Sequence, residues 1–164
     1  MATMTALEFK TADGAERMEA LLKDLQSQYL ITILDAAVVT WPEGAKKPKT
    51  RQLHNLAGAG ALNGAFWGML FGLIFFVPFL GMAIGAGIGA LTGSLTDVGI
   101  DNQFIEQVRQ TVTPGTSALF LLTSGAVVDR VADAVKQQGL EFELIASNLS
   151  AEQEEKLKDV FAAA

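Results

Sequence analysis

The sequence has no cysteine and only one histidine, His54. The missing cysteines exclude disulfides, thiol catalysis and thiolate metal sites. No paired carboxylates near His54 complete a metal site, so we predict no metal, no cofactor and no catalytic residue, and we do not expect an enzyme. The net charge of -6 and the pI of about 4.7 argue against a nucleic-acid partner. No small-molecule substrate can be identified either.

Charge is also missing from a long central stretch, because no aspartate, glutamate, lysine or arginine occurs between Arg51 and Asp97. Glycine recurs there at every fourth position, in two ladders: Gly60, Gly64, Gly68 and Gly72, then Gly81, Gly85, Gly89 and Gly93. Such spacing gives a helix a face without side chains, against which another helix can pack closely. Pro78 separates the ladders. The pattern therefore predicts two glycine-zipper helices joined as a hairpin, which pack within one chain or between copies.

The two predicted helices, 56–77 and 79–96, have lengths that suit a membrane. They would measure about 33 and 27 Å, against a hydrocarbon core of about 30 Å. We predict a transmembrane or membrane-embedded hairpin that either spans the bilayer or keeps its apolar tip buried as a re-entrant loop. A hairpin buried in a large soluble assembly is the alternative. Asn63 would hydrogen-bond across a helix interface or line a pore, and Phe66 and Trp67 would fill space beside the glycine groove.

A basic cluster precedes the first apolar helix and consists of Lys46, Lys47, Lys49 and Arg51. Positive charge beside a membrane segment favours the cytoplasmic side, and such a cluster attracts anionic headgroups. We therefore predict a membrane-surface contact here, with His54 at the interfacial start of the helix. A solvated loop is the alternative, since this composition is also common in loops.

The remainder of the chain predicts an α/β domain. Alternating or β-branched residues predict strands near 5–10, 29–41, 117–123 and 141–145. Apolar residues at helical spacing predict helices that begin near Asp13, Asp101, Ser124 and Ser150, and Ser150 has capping-box spacing to Gln153. Asp35 lies among apolar strand residues, where it is a buried acid, faces solvent or sits at a bulge.

Without the hairpin and the helix after it, the predicted order is β-α-β-β-α-β, which is the ferredoxin-like α+β arrangement. The predicted fold is thus a ferredoxin-like sheet with an inserted glycine-zipper membrane hairpin. Its N-terminal half would occupy residues 1–54, the hairpin 55–97, and the C-terminal half of the same domain 98–164. No linker separates two independent domains.

Several runs resemble a known family: TWPEGAKKPKTRQLHNLAGAGALNGAFWGMLFGLIFFVPFLG, then GSLTDVGIDNQFIEQVR and TPGTSALFLLTS. They are similar to bacterial predicted membrane proteins classed as a domain of unknown function, over about residues 35–161. The resemblance implies a bacterial or archaeal source and membrane association, but no reaction.

Three functions follow as hypotheses. The first is a homo-oligomeric membrane scaffold assembled through the glycine ladders at the bacterial inner membrane, with the α/β domain in the cytoplasm. The second is an oligomeric channel or leak pathway, although the stretch has no charged ring or filter signature. The third is a membrane-tethered small-ligand sensor, by analogy with other domains of this fold.

Overall fold

The computed structural model describes residues 2–27, 33–53, 64–76, 95, 98–124, 133, 136, 137, 139 and 141–161. The strands in this part of the chain are β1 (Ala2–Phe9), β2 (Ile33–Thr40), β3 (Lys49–Gln52), β4 (Ser117–Ser124) and β5 (Phe142–Leu149). The helices are α1 (Gly14–Ser27), α2 (Gly64–Phe71), α3 (Asn102–Thr111) and α4 (Ala151–Phe161). Helix α2 continues directly into a π-helical turn, Gly72–Phe76.

The strands form one sheet in the order β3-β2-β4-β1-β5, and every neighbouring pair is antiparallel. Strand β4 therefore lies between β1 and β2, although it comes much later in the chain. Successive side chains of a strand point to opposite faces, and in β1 both sets are apolar. Leu7 and Phe9 belong to the core on the first face, whereas Met4 and Ala6 belong to the core on the second face.

Helix α1 packs on the first face, where Met18 and Ala15 join Leu7 and Phe9 in one buried cluster. The entry to this helix is tight, because a β-carbon on Gly14 would lie 2.5 Å from Cβ of Phe9. Ser117, at the start of β4, accepts a hydrogen bond from the backbone N–H of Ala15 at 3.0 Å. The first turn of α1 is thus fixed to the middle of the sheet.

The second face is covered by α2 with its π-helical turn, by α3 and by α4. Aromatic rings hold α2 to the sheet: Phe71 meets Phe120 of β4 edge-on at 5.1 Å between centroids and stacks on Trp67 at 5.6 Å. Phe75 of the π-helical turn meets Trp41, which follows β2, edge-on at 6.0 Å. The apolar residues of this stretch are therefore buried against the chain's own sheet.

Helix α3 supports the π-helical turn through Arg109. Its guanidinium donates to the backbone carbonyls of Leu73 and, at 3.2 Å, of Ile74. Carbonyl groups near a helix end need such donors when they are shielded from water. Asp101 begins α3 as its N-cap and accepts the backbone N–H of Phe104 at 2.9 Å.

The predicted fold class, a ferredoxin-like sheet with a membrane-embedded glycine-zipper hairpin, is wrong. The sheet has five strands, and no helix within the described residues is both long enough and apolar enough to cross a membrane. Helix α2 has eight residues, or about 12 Å, and Phe66, Trp67, Leu70 and Phe71 are buried in the second-face core. Apolar side chains are stable where they are shielded from water, and here the second face of the sheet shields them. The second predicted helix and its turn lie outside the described residues, apart from Leu95, which is buried.

Other predictions are confirmed locally. Four of the strands fall on the predicted segments, and α3 begins after Asp101 with Phe104, Ile105 and Val108 buried. Helix α4 has the predicted capping box, in which Ser150 Oγ accepts the N–H of Gln153 at 3.1 Å and Gln153 Oε1 accepts the N–H of Ser150 at 2.9 Å. Strand β3 was not predicted. The helix predicted after Ser124 lies largely outside the described residues.

Candidate functional site

The glycines of α2 lie on the side of the helix that faces away from the sheet. Gly64 and Gly68 are exposed, and Gly72, at the start of the π-helical turn, is half-exposed. We call these three residues the glycine face. Because α2 repeats every 3.6 residues, its bulky residues at the intervening positions point to the core. The sequence predicted a face without side chains, and the structure shows that this face is directed outwards.

The described residues do not fill the space beside the glycine face. A β-carbon built on Gly68 or Gly72 has no described neighbour within 4 Å, and one built on Gly64 reaches only Gln52 Oε1, at 4.0 Å. Contacts within this part of the chain therefore do not require glycine at Gly68 or Gly72.

A groove of about 220 Å³ runs between α2 and the edge strand β3. Gly64, Gly68 and Trp67 line it on the helix side, and Thr50 and Gln52 line it on the strand side. Trp67 is 3% exposed, and its indole N–H is buried without a hydrogen-bond partner among the described residues. An unpaired buried donor is unfavourable by about 1–3 kcal/mol.

Asp35 positions the strand side of the groove. Its carboxylate is fully buried and accepts the side-chain N–H groups of Gln52 at 3.1 and 3.2 Å, and the backbone N–H of Ala36 at 2.8 Å. The register of β2 against β4 shifts between Ile33 and Asp35. Of the three readings of Asp35 from the sequence, the buried acid and the bulge are both found. Its contacts give it a structural role in holding Gln52.

The four predicted membrane-surface residues are exposed, Lys46 and Lys47 in the turn before β3, and Lys49 and Arg51 on the strand. Arg51 is paired, because its guanidinium contacts the carboxylate of Glu19 in α1 at 2.9 Å. This hydrogen bond raises the pKa of Arg51 above its ordinary value. The three lysines therefore provide most of the available positive charge at this edge of the sheet.

Within the described ranges, no three histidine, cysteine or acidic side chains lie close enough to hold a metal ion. The other residues predicted for helix packing lie outside the described residues: Gly60, Asn63, Gly81, Gly85, Gly89 and Gly93. The same is true of His54.

Sequence reasoning missed the strand side of the groove. The run Lys49–Gln52 is polar and short, and its pairing with Ala37–Thr40 depends on a turn rather than on any hydrophobic pattern. The available signal was the turn composition at Pro42-Glu43-Gly44, which ends β2 and allows the chain to reverse.

Comparison with known proteins gives a family but no activity. Residues 61–162, more than half of the chain, match the family described as "Protein of unknown function (DUF1269)". No curated protein and no solved structure matches the chain. The match covers α2, α3, β4, β5 and α4, so the glycine face lies within it. It confirms the predicted membership of an uncharacterised family and carries no statement about membranes. The chain therefore belongs to the DUF1269 family of proteins of unknown function.

Proposed function

We propose that this protein is a homo-oligomeric structural protein whose copies associate through the glycine face of α2. One observation carries the proposal, namely that Gly64 and Gly68 are exposed within a helix whose described neighbours leave the space above them open. Each glycine is unfavourable by about 1 kcal/mol relative to alanine in such a helix. A close helix contact from a second copy would offset this disadvantage.

The geometry favours pairing of one face with the same face on another copy. In a two-fold contact each α2 would cross the other at its glycine positions, so that both backbones approach closely. The groove between α2 and β3 gives the incoming helix room on one side.

The test is the mass of the native particle, measured by light scattering for the whole chain. The wild type is expected to be oligomeric, and Gly68→Leu is expected to release single subunits, because a leucine would fill the space that the second helix needs. Ala20→Leu is the matched control, since Ala20 is an exposed small residue on α1, and it should keep the oligomer. A wild type that is monomeric, or an unchanged mass for Gly68→Leu, would overturn the proposal.

We also propose that the assembly lies at the cytoplasmic surface of the bacterial inner membrane, held by Lys46, Lys47 and Lys49. All three are exposed at one edge of the sheet, and each basic residue near an anionic surface contributes about 1 kcal/mol. The protein is expected to sediment with phosphatidylglycerol vesicles and not with phosphatidylcholine vesicles. Replacing the three lysines by glutamate should abolish binding while the particle mass stays the same. Equal binding to both vesicle types would contradict this location.

A further inference from the structure

A second concave site lies at the opposite edge of the sheet, beside β5. It is a cavity of about 330 Å³ between the start of α3, the outer edge of β5 and the first turn of α4. The polar residues that line it are Asp101, Gln103, Gln107, Ser147, Asn148 and Gln153. We call it the polar cavity. It is formed by segments far apart in sequence, and the glycine face has no part in it.

Hydrogen bonds within the protein hold the polar groups of this cavity in place. Asp101 uses Oδ1 to cap α3, and Gln153 uses Oε1 to cap α4. A carboxylate or carboxamide has two polar atoms, so Asp101 Oδ2 and Gln153 Nε2 stay available as an acceptor and a donor. Neither atom has a hydrogen-bond partner within the described part of the chain. Gln103 and Gln107 are exposed one turn apart on α3 and add both donors and acceptors.

The floor of the cavity is held by a hydrogen bond and a close backbone approach. The hydroxyl of Ser147 donates to the carbonyl of Gly99, which joins β5 to the turn before α3. Gly99 has a φ of +95°, and a β-carbon there would lie 2.8 Å from Cγ of Leu149 and 3.0 Å from Gln153 Oε1. Only glycine fits this approach. A site whose groups are already fixed binds with less loss of conformational freedom than a flexible one.

The chemistry of the lining selects a class of ligand. No lysine, arginine or histidine is among the described residues that line the cavity, so these residues offer no cation to a phosphate or a carboxylate. A hydroxyl group can donate one hydrogen bond and accept others. It can therefore pair both with the carboxamides, which donate and accept, and with the carboxylate, which accepts. The edge of β5 adds main-chain N–H and C=O groups. The volume is at the small end of the range for ligand sites, about 300–1,000 Å³.

From these observations we propose that the polar cavity binds a small, neutral, polyhydroxylated molecule, of the size of a monosaccharide or a cyclic polyol. Asp101 Oδ2 accepts from one hydroxyl, and the amide groups of Gln153 and Gln107 donate to others. This inference is independent of the proposed assembly, because the cavity and the glycine face lie at opposite edges of the sheet.

The experiment is a titration of the full-length, ¹⁵N-labelled protein with D-glucose and with myo-inositol, followed by the amide signals of Gly99 and Ser147. Saturable shifts with at least one of the two are expected. Gln107→Ala should weaken binding about three- to ten-fold, as expected for one lost hydrogen bond. Gln110→Ala is the matched control, because Gln110 is an exposed glutamine of the same helix that does not line the cavity, and it should bind as the wild type does.

Three outcomes would overturn the proposal. The first is that neither compound gives saturable shifts at these residues. The second is that inorganic phosphate or the diamine putrescine shifts the same signals at lower concentration, which would show that charge rather than hydroxyl chemistry selects the ligand. The third is that Gln107→Ala and Gln110→Ala weaken binding equally. Particle mass is recorded for each variant, so that loss of assembly is distinguished from loss of binding.

Discussion

The two edges of the sheet carry concave sites of opposite construction. Beside β3, the groove is formed where side chains are missing, at Gly64 and Gly68, with the aromatic rings of Trp67 and Phe71 on the helix side and polar side chains on the strand side. Beside β5, the polar cavity is formed by side chains that are present and held by hydrogen bonds, such as Asp101 and Gln153. A backbone surface fits another backbone closely, whereas fixed polar groups recognise hydroxyls. The same sheet thus presents one surface suited to a protein partner and one suited to a small molecule.

The largest expected effect comes from Phe120, which lies beneath both sites. On the groove side, the centroid of its ring lies 5.1 Å from that of Phe71 and 6.4 Å from that of Trp67. On the cavity side, it lies 6.4 Å from the ring centroid of Phe104. Phe120→Ala should lower the free energy of unfolding by about 3–5 kcal/mol, measured by urea denaturation, and should disturb both sites. Leu144→Ala, at a residue 39% exposed on β5, should change it little. Damage confined to one site would show that the two do not share this support.

A smaller effect is expected from a substitution at Gly99, which lines the cavity and not the groove. Gly99→Ala should lower the unfolding free energy by about 1–3 kcal/mol, because alanine would adopt a positive φ and contact Leu149. Gly44→Ala is a matched control, since Gly44 has a φ of +85° but no described atom within 4 Å of an added β-carbon. Chemical denaturation of both variants separates backbone strain from the steric contact. Equal losses of unfolding free energy in the two variants would mean that Leu149 moves aside and that the steric contact at Gly99 has no cost.

A pH-dependent effect is expected at Glu8, whose carboxylate is fully buried on β1 beside β5. Burial raises the pKa of Glu8 above its ordinary value of 4.5, although Lys10, 3.2 Å away, acts in the opposite direction. The folded state therefore binds this proton more tightly than the unfolded state. The resulting stability is fully present below pH 4.5 and is lost as pH rises through the raised pKa.

Glutamine carries no charge to desolvate, so Glu8→Gln should be more stable than the wild type at pH 8, with the difference shrinking towards pH 4. Urea denaturation across this range measures it. Glu143→Gln, at an exposed position opposite Glu8 on β5, should change the profile little. A difference that grows as pH falls would contradict the assignment.

The smallest effect is expected from Gly68, and its sign is the informative part. Gly68→Ala should raise the unfolding free energy of an isolated subunit by up to about 1 kcal/mol, because alanine favours a helix and meets no described atom within 4 Å. The same change should weaken association between copies. Unfolding is measured at dilutions where only single subunits are present. A loss of stability there would mean that the glycine face already packs within its own chain.

Elements with local signals could be predicted from the sequence. The N-cap at Asp101, the apolar run of β4 and the capping box of Ser150 and Gln153 each depend on residues within a few positions, and each is found. The spacing of Gly64, Gly68 and Gly72 also predicted a helix face without side chains. Its outward direction could not be predicted, because that depends on which side of α2 meets the sheet.

Two other features depend on contacts between distant segments. Hydropathy shows that the side chains around Trp67 and Phe71 must avoid water, but lipid and a sheet face satisfy this equally well. The hairpin prediction failed for that reason. The polar cavity had no sequence signal, since Gln103 and Gln107 resemble any solvated helix face until β5 and Gln153 are placed beside them.

The position of β4 has a consequence for how the chain acquires its structure during synthesis. Strands β1 and β2 do not pair with each other, and the strand that joins them is translated more than a hundred residues after β1. Until then, the apolar residues of α2 have no completed sheet on which to pack. Such long-range pairing folds slowly and leaves apolar surface open to aggregation. A nascent chain that ends before Ser117 is therefore expected to depend on chaperones. Strands β1 and β2 become part of one sheet only after β4 has been synthesised.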